Sequence, residues 1–338
     1  MAILITIIGF GIMVFLHELG HFIAAKRFGV LVHEFAIGMG PKILSFGKGE
    51  TKYSLRLLPI GGYVRLEGEG ELEENDNPRS FSNLAPIKRI VILFAGAFMN
   101  VFLGFLLFTF INLNVGIVPA VIESIPAEYS AEQTPFVKGD EILKLDNTKI
   151  HTFDDVSLFM SRCDEEISVT IKRDGQIKEI TNFKPFKTDY GYKLGVVFET
   201  KKGSFLECAK FAVYDTVYIT KAVIFALGDL ISGRVGINSL SGPVEIVSVV
   251  GSVASTQSDY TYISVLMLFA MITVNLGVFN LLPFPALDGG SIIFALYELI
   301  TKRKVKSEIV GYASMIGFAL LMILAVIVTV GDITDLIK

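Results

Sequence analysis

The sequence has few cysteines, which cross-link small secreted domains, and no excess of the basic residues that bind nucleic acids. Its only two cysteines, Cys163 and Cys208, suggest neither a disulfide framework nor a zinc site; a disulfide between them would need an oxidising compartment, and we expect two free thiols. Charged residues make up 19% of the chain and the net charge is only -4, so nucleic-acid binding is not indicated. Hydrophobic residues, by contrast, make up 52% of it, with a mean hydropathy of +0.58, which is typical of a membrane protein.

Four segments reach the roughly 20 apolar residues that a helix needs to cross the hydrocarbon core of a bilayer. The first has no basic n-region and no small-residue cleavage site, so we expect it to be a retained span and not a cleaved signal peptide. The predicted fold class is therefore a polytopic α-helical membrane protein with four transmembrane helices. These cover residues 2–25, 87–111, 261–282 and 309–330.

Lysine and arginine are unevenly distributed around these segments. They are abundant between Lys26 and Arg89 and again at 302–306, and they are absent from 112–125 and 240–260. By the positive-inside rule, the two basic segments are cytoplasmic. Both termini and the region between the second and third spans then face outward.

Two regions between the spans are predicted to form β-structure. Within 30–66, the run KYSLRLLPIGGYVRL alternates polar and apolar residues around a Pro-Gly-Gly turn, which predicts a β-hairpin against the membrane interface; an ordinary cytoplasmic hairpin fits the pattern equally well. Residues 115–200 contain short alternating strands separated by turn signals. We expect this insert to be a small soluble β-rich domain.

Residues 204–231 form an apolar helix with one polar stripe, which predicts an interfacial amphipathic helix and not a fifth span. The stripe consists of Glu207, Lys210, Tyr214 and Lys221. The predicted organisation is an N-terminal membrane half at 1–111, the insert at 115–200, the interfacial helix at 204–231 and a C-terminal membrane half at 241–338.

The first apolar segment carries two histidines and a glutamate near its inner end. His17, Glu18 and His21 form the pattern H-E-x-x-H. On a helix, histidines four residues apart lie on one face about 6 Å apart, so both can reach one Zn²⁺ while the glutamate acts on a water beside the metal. Chance placement at a helix end is the weaker explanation, because the chain has only four histidines and ionisable groups at membrane depth are costly.

A catalytic zinc takes a third protein ligand and leaves one position to water. The run NLLPFPALDGGS supplies Asp288 just past the inner end of the third span, on the side where the charge pattern also puts His21. The charge pattern does not depend on this motif, so the agreement between them is an independent check. Without the histidine motif, Asp-Gly-Gly would favour a simple turn.

These motifs together resemble one known family. The H-E-x-x-H of the first span, Gly96 and Asn100 in the second, a PDZ-like insert, and N-x-x-P-x-P-x-L-D-G from Asn280 to Gly289 are similar to the site-2 protease family of intramembrane zinc metalloproteases, of the bacterial RseP type. The resemblance covers nearly the whole chain. Two departures are a single PDZ-like domain where some members have two, and Ser291 where members often carry a larger basic residue.

The resemblance implies roles for individual residues. His17, His21 and Asp288 become the ligands of Zn²⁺, and Glu18 becomes the general base. For the Gly and Asn of the second span, helix packing is an adequate alternative explanation. The implied substrate-binding residues are Asn280, Pro283, Pro285, Asn100 and Gly96.

The resemblance also implies an activity and a setting. The expected reaction is peptide-bond hydrolysis within transmembrane segments of single-span proteins, such as anti-sigma-factor-like proteins or signal-peptide remnants, in regulated intramembrane proteolysis after an upstream site-1-type protease. The expected location is the bacterial inner (cytoplasmic) membrane, with both termini and the PDZ-like domain outside. The segment Gly139-Asp140-x-Ile142 resembles a strand entry of PDZ domains. Such a domain either binds peptide termini by strand addition or excludes bulky substrates.

Two other classes of protein are compatible with a metal site in a membrane chain. A metal transporter would need further acidic or histidine residues along the outer halves of the spans, and these contain none. A catalytically inactive PDZ-bearing scaffold would lack Glu18 or a ligand, yet the full set is present.

Overall fold

The computed structural model describes residues 2–47, 49–69, 76–129, 134–163, 166–188, 191–236, 240–256 and 260–337. The chain divides into two compact units. The first, called here the membrane unit, comprises residues 1–104 and 225–338. The second, called the insert unit, comprises residues 105–224.

Long apolar helices dominate the membrane unit. Among the described residues, five helices are long and apolar enough to cross a membrane, so the predicted number of four is not confirmed. The candidate spans are α1 (Ala2–Arg27), α2 (Pro86–Val115), α4 (Phe205–Ile231), α6 (Thr261–Asn280) and α8 (Ser307–Ile337). Two shorter helices of the membrane unit are α5 (Pro243–Ser255) and α7 (Asp288–Thr301).

Glycines allow the helices around the site to approach closely. A Cβ built on Gly20 of α1 would lie 2.3 Å from the carbonyl oxygen of Ala95 in α2. A Cβ on Gly277 of α6 would lie 2.9 Å from the carbonyl oxygen of Ala97. Small residues permit such contacts between apolar helices, where packing replaces the hydrophobic effect as the source of association. Both α1 and α6 therefore lie directly against α2.

Two irregular strands follow α1, namely β1 (Val32–Phe46) and β2 (Lys52–Leu66). Their register differs from the predicted hairpin. Glu34 pairs with both Lys52 and Arg65, so one segment of β1 lies between the two arms of β2. The expectation that the arms at 52–66 pair with each other is therefore wrong. Pairing is decided by contacts with residues far along the chain, which local alternation does not reveal.

The insert unit contains a four-stranded antiparallel sheet with the order β5-β4-β6-β7 and one short helix. Its apolar core is built from alternate residues of these strands, such as Val169 and Ile171, which are fully buried. The buried Asp140 carboxylate accepts two hydrogen bonds of 2.7 Å from Arg173. The elements are β3 (Ile122–Ser124), β4 (Glu141–Leu145), β5 (Thr148–Lys149), α3 (Phe153–Met160), β6 (Ile167–Arg173), β7 (Gln176–Phe183), β8 (Phe186–Thr188), β9 (Gly191–Lys193) and β10 (Val197–Phe198). The β-rich character of the insert is as expected, and its likeness to PDZ domains stays a prediction.

The polar stripe of α4 has partners within the insert unit. Lys221 Nζ lies 3.2 Å from Asp155 Oδ1 of α3, and the ring of Tyr214 stacks on the ring of His151 with centroids 4.5 Å apart. Two residues of the stripe therefore contact the inserted domain, where the predicted partner is the membrane interface. Cys163 and Cys208 are both buried and are not joined to each other by a disulfide, in agreement with the prediction.

Candidate active site

The metal site lies between α1 and the first residue of α7. The Nε2 atoms of His17 and His21 are 3.1 Å apart, and Asp288 Oδ2 lies 3.2 Å from the first and 3.4 Å from the second. Ligands about 2.05 Å from a tetrahedral zinc lie about 3.3 Å from one another. These three atoms thus have the spacing of one face of a zinc tetrahedron, and they form the metal-binding group found among the described residues.

The chemistry of the donor atoms fits a cation as well. Asp288 Oδ2 is buried and has no hydrogen-bond donor among the residues that the structure describes. Burial alone would raise the pKa of the Asp288 carboxyl, but the neighbouring imidazoles outweigh this effect and lower the pKa to about 2. A buried carboxylate oxygen without a donor costs free energy unless a cation binds it. The residues present therefore fit Zn²⁺.

The two glycines after Asp288 explain how this residue reaches the site. A Cβ on Gly289 would lie 2.2 Å from the carbonyl oxygen of Leu282, and a Cβ on Gly290 would lie 2.3 Å from that of Phe284. Only glycine lets α7 begin this close to the preceding loop. The Asp-Gly-Gly run is thus needed for packing at the helix start, and a turn alone does not account for it.

His21 is held from behind by α2. Its Nδ1 lies 2.9 Å from the carbonyl oxygen of Ile92, which fixes the ring so that Nε2 faces the site. A Cβ on Gly96 would lie 2.3 Å from His21 Nε2. Gly96 therefore provides the space that the imidazole occupies, and this contact accounts for it without the substrate-binding role that the family resemblance implies.

Asn100 is fully buried one turn after Gly96, and its amide nitrogen lies 3.4 Å from Nδ1 of His17. The amide oxygen has no partner among the described residues. A half-turn of the amide would bring this oxygen to His17 Nδ1, which carries a proton when Nε2 binds a metal. This arrangement satisfies both groups. Asn100 is therefore placed to position His17, and its predicted substrate-binding role stays a prediction.

Glu18 lies next to the metal ligands and contacts the β-sheet. Its Oε2 accepts a hydrogen bond of 3.0 Å from the backbone N–H of Val64 in β2. Gly62 brings the strand close, since a Cβ there would lie 3.6 Å from Glu18 Cγ. No side-chain pattern in the sequence could have identified this backbone donor.

The segment at 280–287 lies beside the ligands. The amide nitrogen of Asn280, at the end of α6, is 3.4 Å from His17 Nε2. The loop after it contains Pro283 and Pro285, and its backbone lies so close to α8 that a Cβ on Gly317 would overlap the carbonyl oxygen of Pro285. Asn280 is thus at the site, while the two prolines shape the loop; substrate contact by all three stays a prediction.

Comparison with known proteins shows the family to which the chain belongs. The sequence profile of peptidase family M50 matches residues 5–324. A candidate zinc metalloprotease of Clostridium acetobutylicum is 39% identical over 334 residues, which cover 98% of this chain and 97% of that protein. A similar candidate from Clostridium perfringens is 35% identical over 337 residues, with 98% of each chain covered. The zinc metalloprotease RasP of Geobacillus kaustophilus is 30% identical over 414 residues, covering 98% and 97%.

A three-ligand zinc site with a glutamate beside it, in a multi-pass membrane chain, defines a membrane zinc metalloprotease. The chain belongs to peptidase family M50, the site-2 protease family. Its cofactor is zinc, as predicted, and the family assignment removes support for the transporter and scaffold alternatives.

Proposed function

We propose that the protein is an intramembrane endopeptidase that hydrolyses peptide bonds within transmembrane segments of single-span membrane proteins. The observation that carries this proposal is the position of the metal ligands. His17 and His21 belong to α1, a 26-residue candidate membrane span, so the reaction centre is built into a spanning helix. A protease with its ligands at that depth acts on peptide bonds that lie in the bilayer.

His17, His21 and Asp288 would hold Zn²⁺, which would supply Lewis-acid chemistry by lowering the pKa of a water molecule to about 7 and polarising the scissile carbonyl. Glu18 acts as general base: it takes the proton of the attacking water and returns it to the leaving amine. Its hydrogen bond from Val64 orients the carboxylate for both transfers. The amide N–H of Asn280 can donate to the oxygen of the peptide bond under attack.

A helical substrate must be opened before it is cut, because its carbonyl groups are hydrogen-bonded within the helix and lipid offers no other donor. The sheet supports a way to do this. Val64 pairs with Phe35 of β1, and its own N–H points to Glu18, so this arm of β2 presents an edge beside the general base. A substrate strand added to that edge would lie extended next to Glu18.

The proposal includes a cellular setting. The substrates are transmembrane proteins such as anti-sigma-factor-like proteins or signal-peptide remnants, trimmed first by an upstream site-1-type protease. The site lies near the cytoplasmic side of a bacterial inner membrane, with both termini and the insert outside. The insert acts on substrates either by binding a peptide end or by excluding bulky outer domains. Support for this orientation comes from the lysine and arginine distribution.

The test is cleavage of a single-span substrate in detergent, with the cut bond located by mass spectrometry. Wild-type protein is compared with Glu18→Gln, which removes the base and keeps the three ligands. General-base catalysis contributes about 10²–10⁴-fold, so we expect cleavage to fall by at least about a hundredfold while one zinc per chain is retained. Glu245→Gln, which changes an acidic residue of α5 away from the ligand set, is the matched control and should cleave normally.

The location of the cut decides the outcome. A cut within the apolar segment, lost in Glu18→Gln and on chelation, supports the proposal. A cut only in the polar flanks of the substrate would contradict intramembrane cleavage and leave the protease assignment intact. A second substrate with its outer domain already removed excludes the case in which an untrimmed substrate is simply rejected.

A further inference from the structure

A cationic cavity of about 400 Å³ lies away from the catalytic residues, where α2 and α8 begin. It is bounded by the loop before α2, by the first turn of α2 and by the end of α7 with the residues that follow. Four cationic side chains and one carboxylate line it. They are Arg89, Lys302, Arg303, Lys304 and Glu298.

The carboxylate in this cavity is fully engaged by the protein. Glu298 is buried and pairs with Arg89 of α2, and its Oε1 accepts a hydrogen bond of 2.9 Å from the backbone N–H of Val305. Its own carbonyl oxygen accepts from the N–H of Lys302 at 2.9 Å. Glu298 therefore holds the 302–305 segment in place across the start of α2, and the cavity is a preformed feature of the fold.

The remaining cations are not neutralised. Lys302 and Arg303 are exposed and have no acidic group within 4 Å among the described parts of the chain, and Lys304 Nζ meets only the neutral Asn83 Oδ1 at 3.3 Å. Three positive charges at one cavity repel each other unless an anion joins them. The first turn of α2 adds the positive end of its helix dipole to the same cavity.

The surroundings indicate where that anion comes from. The candidate span α2 begins at this cavity, and α8 begins three residues after Lys304, which puts the cavity at the level of lipid headgroups. Large apolar side chains in the first turns of α2 and α8 and in the last turn of α7, close in sequence to the lining residues, have more than half of their surface exposed. They are Ile87 at 53%, Ile300 at 77% and Ile309 at 53%. A free inorganic anion makes no favourable contact with apolar side chains, whereas the acyl chains of a phospholipid can cover them.

We propose that this cavity binds the phosphate of an anionic phospholipid headgroup, through Lys302, Arg303 and Lys304. The lipid would connect the beginnings of α2 and α8 to the end of α7. Basic cavities between membrane helices are suited to such headgroups, and each cation near the surface contributes about fivefold to anionic-lipid binding.

The test uses the purified full-length protein in neutral detergent and native mass spectrometry with added phosphatidylglycerol or phosphatidylcholine. We expect phosphatidylglycerol to be retained about a hundredfold better, because three cations each contribute about fivefold. Lys302→Gln combined with Arg303→Gln should lower its retention by roughly twentyfold, since two cations are lost. The control, Lys52→Gln with Lys306→Gln, removes the same charge at residues that do not line the cavity and should change retention less than twofold.

Each arm has an outcome that overturns the assignment. Equal losses in both double variants would mean general charge attraction, and no loss in either would mean that the cavity does not bind the lipid. If millimolar inorganic phosphate displaces phosphatidylglycerol, the anion is a free phosphate and the lipid assignment is wrong. Lys302 and Arg303 are exposed, so equal melting temperatures of both variants without lipid will verify that the fold is intact.

Discussion

The membrane unit leaves more of its buried polar atoms unpaired than the insert unit does. In the insert unit, the buried carboxylates of Asp140 and Asp155 meet the cations of Arg173 and Lys221. Of the six buried side-chain atoms without a partner in the described residues, five belong to the membrane unit and one, Thr134 Oγ1, to the insert unit. The five are Arg56 Nε, Arg89 Nε, Asn100 Oδ1, Asn275 Oδ1 and Asp288 Oδ2.

This difference separates structural from functional polarity. A domain that folds in water satisfies its buried polar groups internally, because an unpaired one costs about 1–3 kcal/mol. In the membrane unit, two of the unpaired atoms, on Asn100 and Asp288, lie at the metal site. The Asn100 oxygen can accept the Nδ1 proton of His17, and the Asp288 oxygen can bind the metal. The other three, on Arg56, Arg89 and Asn275, are not among the contacts of the metal site, so an unpaired atom indicates a site only where metal ligands lie beside it.

The largest effect should follow from filling the space behind a metal ligand. In Gly96→Ala, the added Cβ would overlap Nε2 of His21 and displace it. Since even changes behind a ligand cost 10–100-fold in metal affinity, we expect zinc affinity to fall at least ~100-fold and proteolysis with it. Inductively coupled plasma mass spectrometry, which measures the number of zinc ions per chain, tests this expected loss of zinc.

The matched control is Gly331→Ala in α8, where an added Cβ meets no atom within 4 Å. It should keep full zinc and activity. Helical content by circular dichroism should be the same in both variants. Full zinc in Gly96→Ala would show that His21 is not held where the structure puts it.

The corresponding change in the insert unit should lower the stability of that unit without lowering the zinc content of the protein. Arg173→Ala leaves the fully buried Asp140 without its cation, and breaking such a pair costs about 3 kcal/mol. We expect hydrogen exchange across 141–173 in the full-length protein to report that loss. Zinc content should not change.

The neighbouring Lys172→Ala provides the comparison. Lys172 is 3.7 Å from the exposed Glu141, and surface pairs of this kind contribute about 0–1 kcal/mol. Equal destabilisation by both variants would contradict the view that the insert depends on its buried pair.

Removing the orienting amide should have an intermediate effect. Asn100→Ala deletes the group beside His17 Nδ1, and we expect zinc affinity to fall about 10–100-fold. Asn100→Asp keeps an acceptor oxygen and should restore most of it. Chelator competition gives both affinities. Equal losses in Ala and Asp would indicate that Asn100 only fills space.

The ligand set could be predicted from the sequence because its signals are local. His17 and His21 are one helical turn apart, and Asp288 follows a span whose end the charge pattern indicates. The contacts that hold these ligands and Glu18 in place could not be predicted from the sequence. Gly96 and the carbonyl group of Ile92 act on His21 from another helix, and Val64 reaches Glu18 through its backbone. Backbone groups leave no trace in residue type.

The regions between the spans show the same limit. Alternation in 52–66 predicts strands, but their pairing with β1 is a long-range choice of register. The stripe on α4 predicts one polar face, but it cannot distinguish a lipid headgroup layer from a folded domain, since both offer polar partners. The number of spans depends on that distinction.

The smallest effect tests which partner the stripe of α4 has. Tyr214→Leu removes the stacking on His151, and aromatic pairs contribute about 0.5–1.5 kcal/mol beyond their buried area. We expect hydrogen exchange around 151–160 to become about 2- to 13-fold faster, which is the factor that this free energy corresponds to. The zinc content should not change. Val217→Ala, at a residue 43% exposed on the same helix, should leave exchange as it is. If Tyr214→Leu also leaves exchange unchanged, the stripe does not hold the insert, and the interfacial position predicted from the sequence becomes the better account of α4.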